Sequence, residues 1–165
     1  MRLFVAVTDN DWFALHAKAA RFLAIYCLLP LALLSLAPRS SAQSTKVLLL
    51  FGGEDHKTFL GCLNCSALDS SSVCNQLGKY GSSLQSDSIW NSLGEFGSSL
   101  SKYSPWNSLS DSAPIIVDAK GNSYGYFSTN TLHRDRTQIG WLVAILDYQD
   151  DNDDLDKTRD KMCGD

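Results

Sequence analysis

Cys62, Cys65 and Cys74 stand in a C-x2-C-x8-C pattern shortly after His56, which follows Glu54 and Asp55, and these are the residues whose types and spacing could do chemistry. Three thiolates and an imidazole would supply the four S/N ligands of a tetrahedral zinc site, and C-x2-C is a common half-site, although no second half-site follows. Glu54, Asp55 and His56 would then offer the acid–base groups of a metal-dependent hydrolase. The same cluster follows Gly52-Gly53, and polar residues beside glycine are what a hairpin tip needs in any case. A redox C-x-x-C pair is a third use of the thiols, but thioredoxin-like proteins set it at a helix N-terminus, whereas here it ends a strand.

The structural use of the cysteines is the preferred one. The chain has 5 cysteines, and Cys27 lies in a segment expected to be removed, which leaves Cys62, Cys65, Cys74 and Cys163. An even number in an oxidising compartment favours disulfides. A bond from Cys74 to Cys62 or Cys65 would staple the first repeat onto a sheet. On this reading no cofactor is needed, zinc being the alternative. G-x-S-x-G, H-E-x-x-H, P-loop and H-N-H patterns are all absent, and the 3 histidines leave few choices for a general base.

Two hairpins would hold these residues. Lys46–Phe51 reads KVLLLF and runs into Gly52-Gly53, with Lys57–Leu63 returning as its partner. Pro114–Asp118 is a second apolar run, Ala119–Asn122 a turn, and Ser123–Ser128 an aromatic return strand. A helix is expected to open at Asp135 and lay Ile139, Leu142, Val143 and Leu146 on the sheet. His133, Arg134, Asp135 and Arg136 before it suit a solvated loop better than an anion site at its N-terminus. Residues 147–165 gather aspartates without the Gly and Glu of a calcium loop, and are expected to form an acidic, disordered tail. The fold class is α+β: a small antiparallel sheet from two hairpins, a short repeat block between them, and a C-terminal amphipathic helix.

The repeat block recurs every 16 residues between Ser66 and Ser112. Leu68, Leu84 and Leu100 open the copies; Ser72, Ser88 and Ser104 follow, then Cys74, Trp90 and Trp106, Asn75, Asn91 and Asn107, and Leu77, Leu93 and Leu109. Such self-similarity means one small unit stacked on copies of itself. Ser86, Asp87 or Ser88 would cap a short helical turn that Gly94 ends, and a β-arc is the competing local form. In either form Trp90 and Trp106 stack in register, and the expected repeat core is Trp90, Trp106, Leu77, Leu93 and Leu109.

Ahead of this domain, Phe22–Ala37 is an apolar run preceded by Lys18 and Arg21, and Ser40-Ser41-Ala42 offers small residues for signal-peptidase cleavage. Residues 1–42 are thus expected to be a signal peptide with an atypical N-terminal extension, removed near Ala42 and leaving no stable membrane anchor, with residues 43–146 the domain. The whole chain carries a net charge of −4; without residues 1–42 it is −6. An acidic mature chain argues against nucleic-acid binding through bulk charge.

The run from HKTFLGCLNC through SVCNQLGKYGS, SIWNSLGEFGS and SPWNSL to PIIVDAKGNSYGYF is similar to a family of small, uncharacterised bacterial proteins with a G-C-L-N-C start and S-x-W-N-x-x-G-x-Y-G-S repeats. The resemblance implies a domain and no chemistry. It departs from the family in having Leu77, Leu93 and Leu109 where Tyr is usual. Separately, the opening MRLFVAVTDNDWF resembles the start of some bacterial proteins with an HNH-type endonuclease module, and no His-Asn-His motif follows it. The expected function is an exported structural or binding module, secreted or periplasmic, with an envelope or extracellular ligand. A metal-dependent hydrolase or nuclease-related protein with a Cys/His metal site is the alternative.

Overall fold

The first apolar run pairs twice. In the computed structural model, which describes residues 46–164, β1 (Leu48–Gly52) alternates buried and half-buried residues and lies antiparallel to β2 (Thr58–Cys62). The expected signal peptide, its cleavage point and residues 43–45 lie outside the described residues. On its other side β1 pairs antiparallel with β3 (Ile115–Asp118), which turns into β4 (Ser123–Tyr126), giving the order β2-β1-β3-β4. This is the expected α+β fold with one small antiparallel sheet from two hairpins, and the repeats span the gap between β2 and β3.

A short, twisted sheet leaves two edges whose free N–H and C=O groups need covering. The first repeat covers β2: the Cys62 N–H donates to Ser71 O (2.7 Å) and the Val73 N–H to Cys62 O (3.0 Å). The segment after β4 covers the other edge, with the Tyr126 N–H on Asp135 O (2.8 Å) and the Thr137 N–H on Tyr126 O (2.9 Å). That second pairing corrects the expected helix start. Asp135 sits in a turn whose carbonyl accepts from β4, and Arg136 bridges to Tyr126, so α1 begins only at Gly140 and runs to Asn152. Its buried residues are Leu142, Ile145, Leu146 and Gln149, a stripe at i, i+3, i+4 and i+7.

The acidic tail is helical as well, which corrects the expectation of disorder over residues 147–165. Asp153 ends α1 in the left-handed conformation, Asp154 caps the next helix by accepting from the Lys157 N–H (3.0 Å), and α2 spans Leu155–Cys163. Thr158 Oγ1 donates to Gln149 Oε1 (2.7 Å) in a buried bond between the two helices. The end of α2 is fixed covalently, since Cys163 is bonded to Cys74 of the first repeat. Charge run and composition suggested a solvated tail; a helix cap and a crosslink over long sequence separation override them.

One apolar core runs through the domain. Leu50 and Leu60 from the first hairpin, Ile116 from β3, and Leu142 and Leu146 from α1 are continuous with Val73, Ile89, Trp90, Phe96 and Trp106 of the repeats. At its margin Asp118 closes the β3–β4 turn. Its carboxylate, almost wholly buried, accepts from the Lys120 and Asn122 N–H groups, Asn122 Nδ2 and Tyr124 Oη, and Lys46 lies 3.4 Å away. These donors, those of Asn122 foremost, hold its pKa well below the ordinary carboxylate value. A depressed folded-state pKa gives stability that is full above the unfolded value of roughly 4 and lost as the pH falls below it. Acid unfolding of the Asp118→Asn variant should therefore show a shallower loss below about pH 4 than the parent. Equal slopes in a circular-dichroism titration would exclude Asp118 as the source.

Candidate functional site

The 16-residue period is built from hydrogen-bonded turns and contains neither the helical turn nor the β-arc. Backbone N–H groups bond back three residues at Asp69, Ser72, Asn75 and Gly78, and then four residues at Ser82. Four steps of three and one of four make 16, and the second copy repeats them through Gln85, Ser88, Asn91, Gly94 and Ser98. The four-residue step brings the chain back onto itself. A Cβ on Gly97 would lie 2.3 Å from Asn91 O, and one on Gly81 equally close to Asn75 O. Because the obstacle is backbone, Gly97→Ala should cost about 1–3 kcal/mol through forced displacement, read as a lower urea midpoint. An unchanged midpoint would show that the step can open without penalty.

Ser and Asn recur because their side chains complete these turns. Ser88 Oγ accepts from the Trp90 N–H (3.1 Å), and Asn91 both accepts from the Leu93 N–H (3.1 Å) and donates through Nδ2 to Gln85 O (3.2 Å). The copies are stacked and joined by their tryptophans. Trp90 Nε1 donates to Val73 O (2.7 Å) and Trp106 Nε1 to Ile89 O (2.5 Å), each reaching the preceding copy. The two indoles stack with centroids 5.4 Å apart. Phe127 meets Trp106 edge-on, and Thr129 donates through its N–H and Oγ1 to Pro105 O, the carbonyl equivalent to Ile89 O. Ser128 to Leu132 thus form a shortened fourth copy. Its signal in the sequence was the S-x-N-x-L run, one residue shorter than the S-x-x-N-x-L of the full copies and masked by the intervening hairpin.

Trp90 and Trp106 are buried as expected, but Leu77, Leu93 and Leu109 are not repeat core: they are 100%, 95% and 87% exposed. Phe96 and the Val73–Ile89–Pro105 positions fill the interior in their place. Leu68, Leu84, Leu100 and Leu132 are equally bare. In all seven the leucine's own N–H is held by the Ser or Asn side chain two residues earlier, at 3.0 to 3.3 Å. The same tie holds the N–H of the buried Trp90 and Trp106, so the place of the turn within the copy, and not the tie itself, sets which third residues face solvent. The outcome is two rows of three leucines at the repeat spacing, with Leu132 beyond.

The chemistry-bearing cluster does not converge. Cys62 is bonded to Cys65 and Cys74 to Cys163, so the expected bond from Cys74 to Cys62 or Cys65 is corrected. The first repeat is instead stapled to α2, since Cys62 and Cys65 are bonded to each other and Cys74 meets Cys163. His56 approaches Ala113 O through Nε2 (3.1 Å) and meets Tyr126 edge-on, while Asp55 pairs with Lys57. Cys62, Cys65, Cys74 and His56 are therefore not gathered as one ligand set. Arg136, considered for an anion site, donates to Ser128 O and pairs with Asp147.

Sequence reasoning did not anticipate a cleft of about 740 Å³ between the second repeat and the α1–α2 corner. Leu84 and Leu93 line it with the edges of Trp90 and Trp106, and Asp153, Leu155 and Asp156 face them. Comparison of the chain with protein-family models, curated proteins and solved structures finds no match. Fold and site define an α+β domain with a turn-built repeat stack, held by two disulfides of the kind that persist in oxidising compartments. Among the described residues no helix is long and apolar enough to cross a membrane.

Proposed function

We propose that the chain is an exported binding module that engages an envelope or extracellular ligand through the leucine-bearing face of its repeat stack. The observation that carries this reading is the set of seven leucines at 87% exposure or more, each on a side-chain-tied turn. Single exposed leucines are ordinary. Leucines repeated in register bury nothing within the chain, and an ordered apolar array of that kind is the usual mark of an interaction surface. Turns that already hold them lower the ordering cost of binding. Export is supported by the apolar run ahead of Ala42 and by the disulfides.

The test is the triple variant Leu77→Ser, Leu93→Ser, Leu109→Ser. Its stability should stay within about 0.5 kcal/mol per site of the parent, because these side chains pack on nothing. Retention on an octyl matrix should fall sharply at the same time. Unchanged retention, or loss of the fold, would remove the face as a binding surface. Mass spectrometry of the exported protein should find Gln43 as its first residue, and a retained leader would overturn export.

A further inference from the structure

The cleft is where the leucine face meets charge. Leu84 and Leu93 form one wall, with Trp90 and Trp106 at the floor, and the other wall is the joint between α1 and α2. At that joint Asp154 is committed to capping α2 and to Lys157 (2.8 Å), and Asp156 pairs with Arg159 (3.3 Å). Asp153 has no such partner among the described residues, and its backbone is fixed at φ 48° by an N–H bond to Gln149 O (2.9 Å). Asp150 and Asp151 precede it, both exposed. Against these five aspartates the nearby cations are Lys157 and Arg159, already paired, and Lys161, over the Tyr148 ring. The joint keeps a net negative charge.

We infer that this cleft takes a peptide segment of another protein in which a basic side chain lies next to apolar ones, the apolar groups entering between Leu84 and Leu93 and the cation meeting Asp153. The inference rests on the leucine face being a binding surface and adds the chemistry of what binds. A purely apolar occupant would strip water from the aspartates without compensation. An acidic peptide or an anionic lipid surface would be repelled. A second copy of this chain is a poorer source of the cation, since the mature chain is net acidic, six of its ten Lys and Arg residues are in ion pairs, and Lys102 and Lys161 lie over tyrosine rings, which leaves Lys120 and Arg134. The volume lies within the range that holds a few side chains.

The experiment is calorimetry on the exported protein with three short synthetic peptides: alternating Lys and Leu, alternating Glu and Leu, and alternating Lys and Ser. The Lys–Leu peptide should bind, more weakly as salt rises, and the other two should not. Asp153→Asn should weaken it about fivefold and Leu93→Ser about tenfold, whereas Asp55→Asn at the hairpin tip, which removes the same charge elsewhere, should have no effect. If Asp55→Asn matches Asp153→Asn, attraction is to bulk charge and the inference fails. Equal binding of the Glu–Leu peptide, still lost in Leu93→Ser, would overturn the acidic wall and leave the leucine face standing. Binding unaffected by Leu84→Ser and Leu93→Ser would remove both readings. Leucine-dependent self-association in sedimentation, or leucine-dependent binding to phosphatidylcholine vesicles, with no peptide uptake, would name a different occupant and overturn the proposal.

Discussion

Trp106→Ala is expected to lower unfolding stability by about 3–5 kcal/mol, the cost of emptying a large, well-packed aromatic site. Three contacts disappear together: the stack on Trp90 at 5.4 Å, the edge contact with Phe127, and the Nε1 bond to Ile89 O. The last leaves a buried carbonyl short of a donor, and such a loss is seldom recovered elsewhere. Trp106→Phe keeps most of the stacking and loses the bond, so it should fall between parent and alanine variant. Equilibrium urea unfolding measures both. A loss below about 1 kcal/mol for the alanine variant would mean that the indoles do not join the copies. The contrast with Leu93 is physical: two apolar residues three apart in one repeat each have their N–H held by the side chain two residues earlier, yet Trp90 is 2% exposed and Leu93 95%, because one turn of the copy faces the core and the next faces solvent.

The paired variant Cys74→Ser, Cys163→Ser should lose about 4–5 kcal/mol, if the crosslink acts mainly by restricting the unfolded chain. The bond spans 89 residues, whereas Cys62–Cys65 spans 3, so Cys62→Ser, Cys65→Ser should lose less than about 3 kcal/mol. The same bond is the covalent tie of α2 to the repeats, so its removal should also raise amide exchange across Leu155–Cys163 ahead of the sheet. Equal destabilisation by the two double variants would sink the loop-length account. Preserved protection in α2 would show that the Gln149–Thr158 bond and the Asp154 cap hold the helix without it.

Sequence alone determined what is local. KVLLLF ending in Gly52-Gly53, and PIIVD followed by AKGN, each carry strand pattern and turn chemistry in adjacent residues, so both hairpins were legible. The period of 16 and the in-register tryptophans were legible for the same reason. What tertiary structure decided depends on partners distant in sequence. Ser, Asn and Gly complete a helix end and a free turn equally well, so the path of each repeat, and with it the outward aim of Leu77, Leu93 and Leu109, was set only when the copies stacked through the Trp90 and Trp106 bonds. The helix began five residues after Asp135 because an open edge of β4 bound that segment first. Four cysteines permit three pairings, and closeness in sequence favoured Cys74 with Cys62 or Cys65; the choice fell instead to geometry, since the α1–α2 joint brought Cys163 to Cys74 and left Cys62 to Cys65. The cleft followed from that meeting, since its two walls are separate in sequence and become neighbours only when α2 is drawn against the repeats.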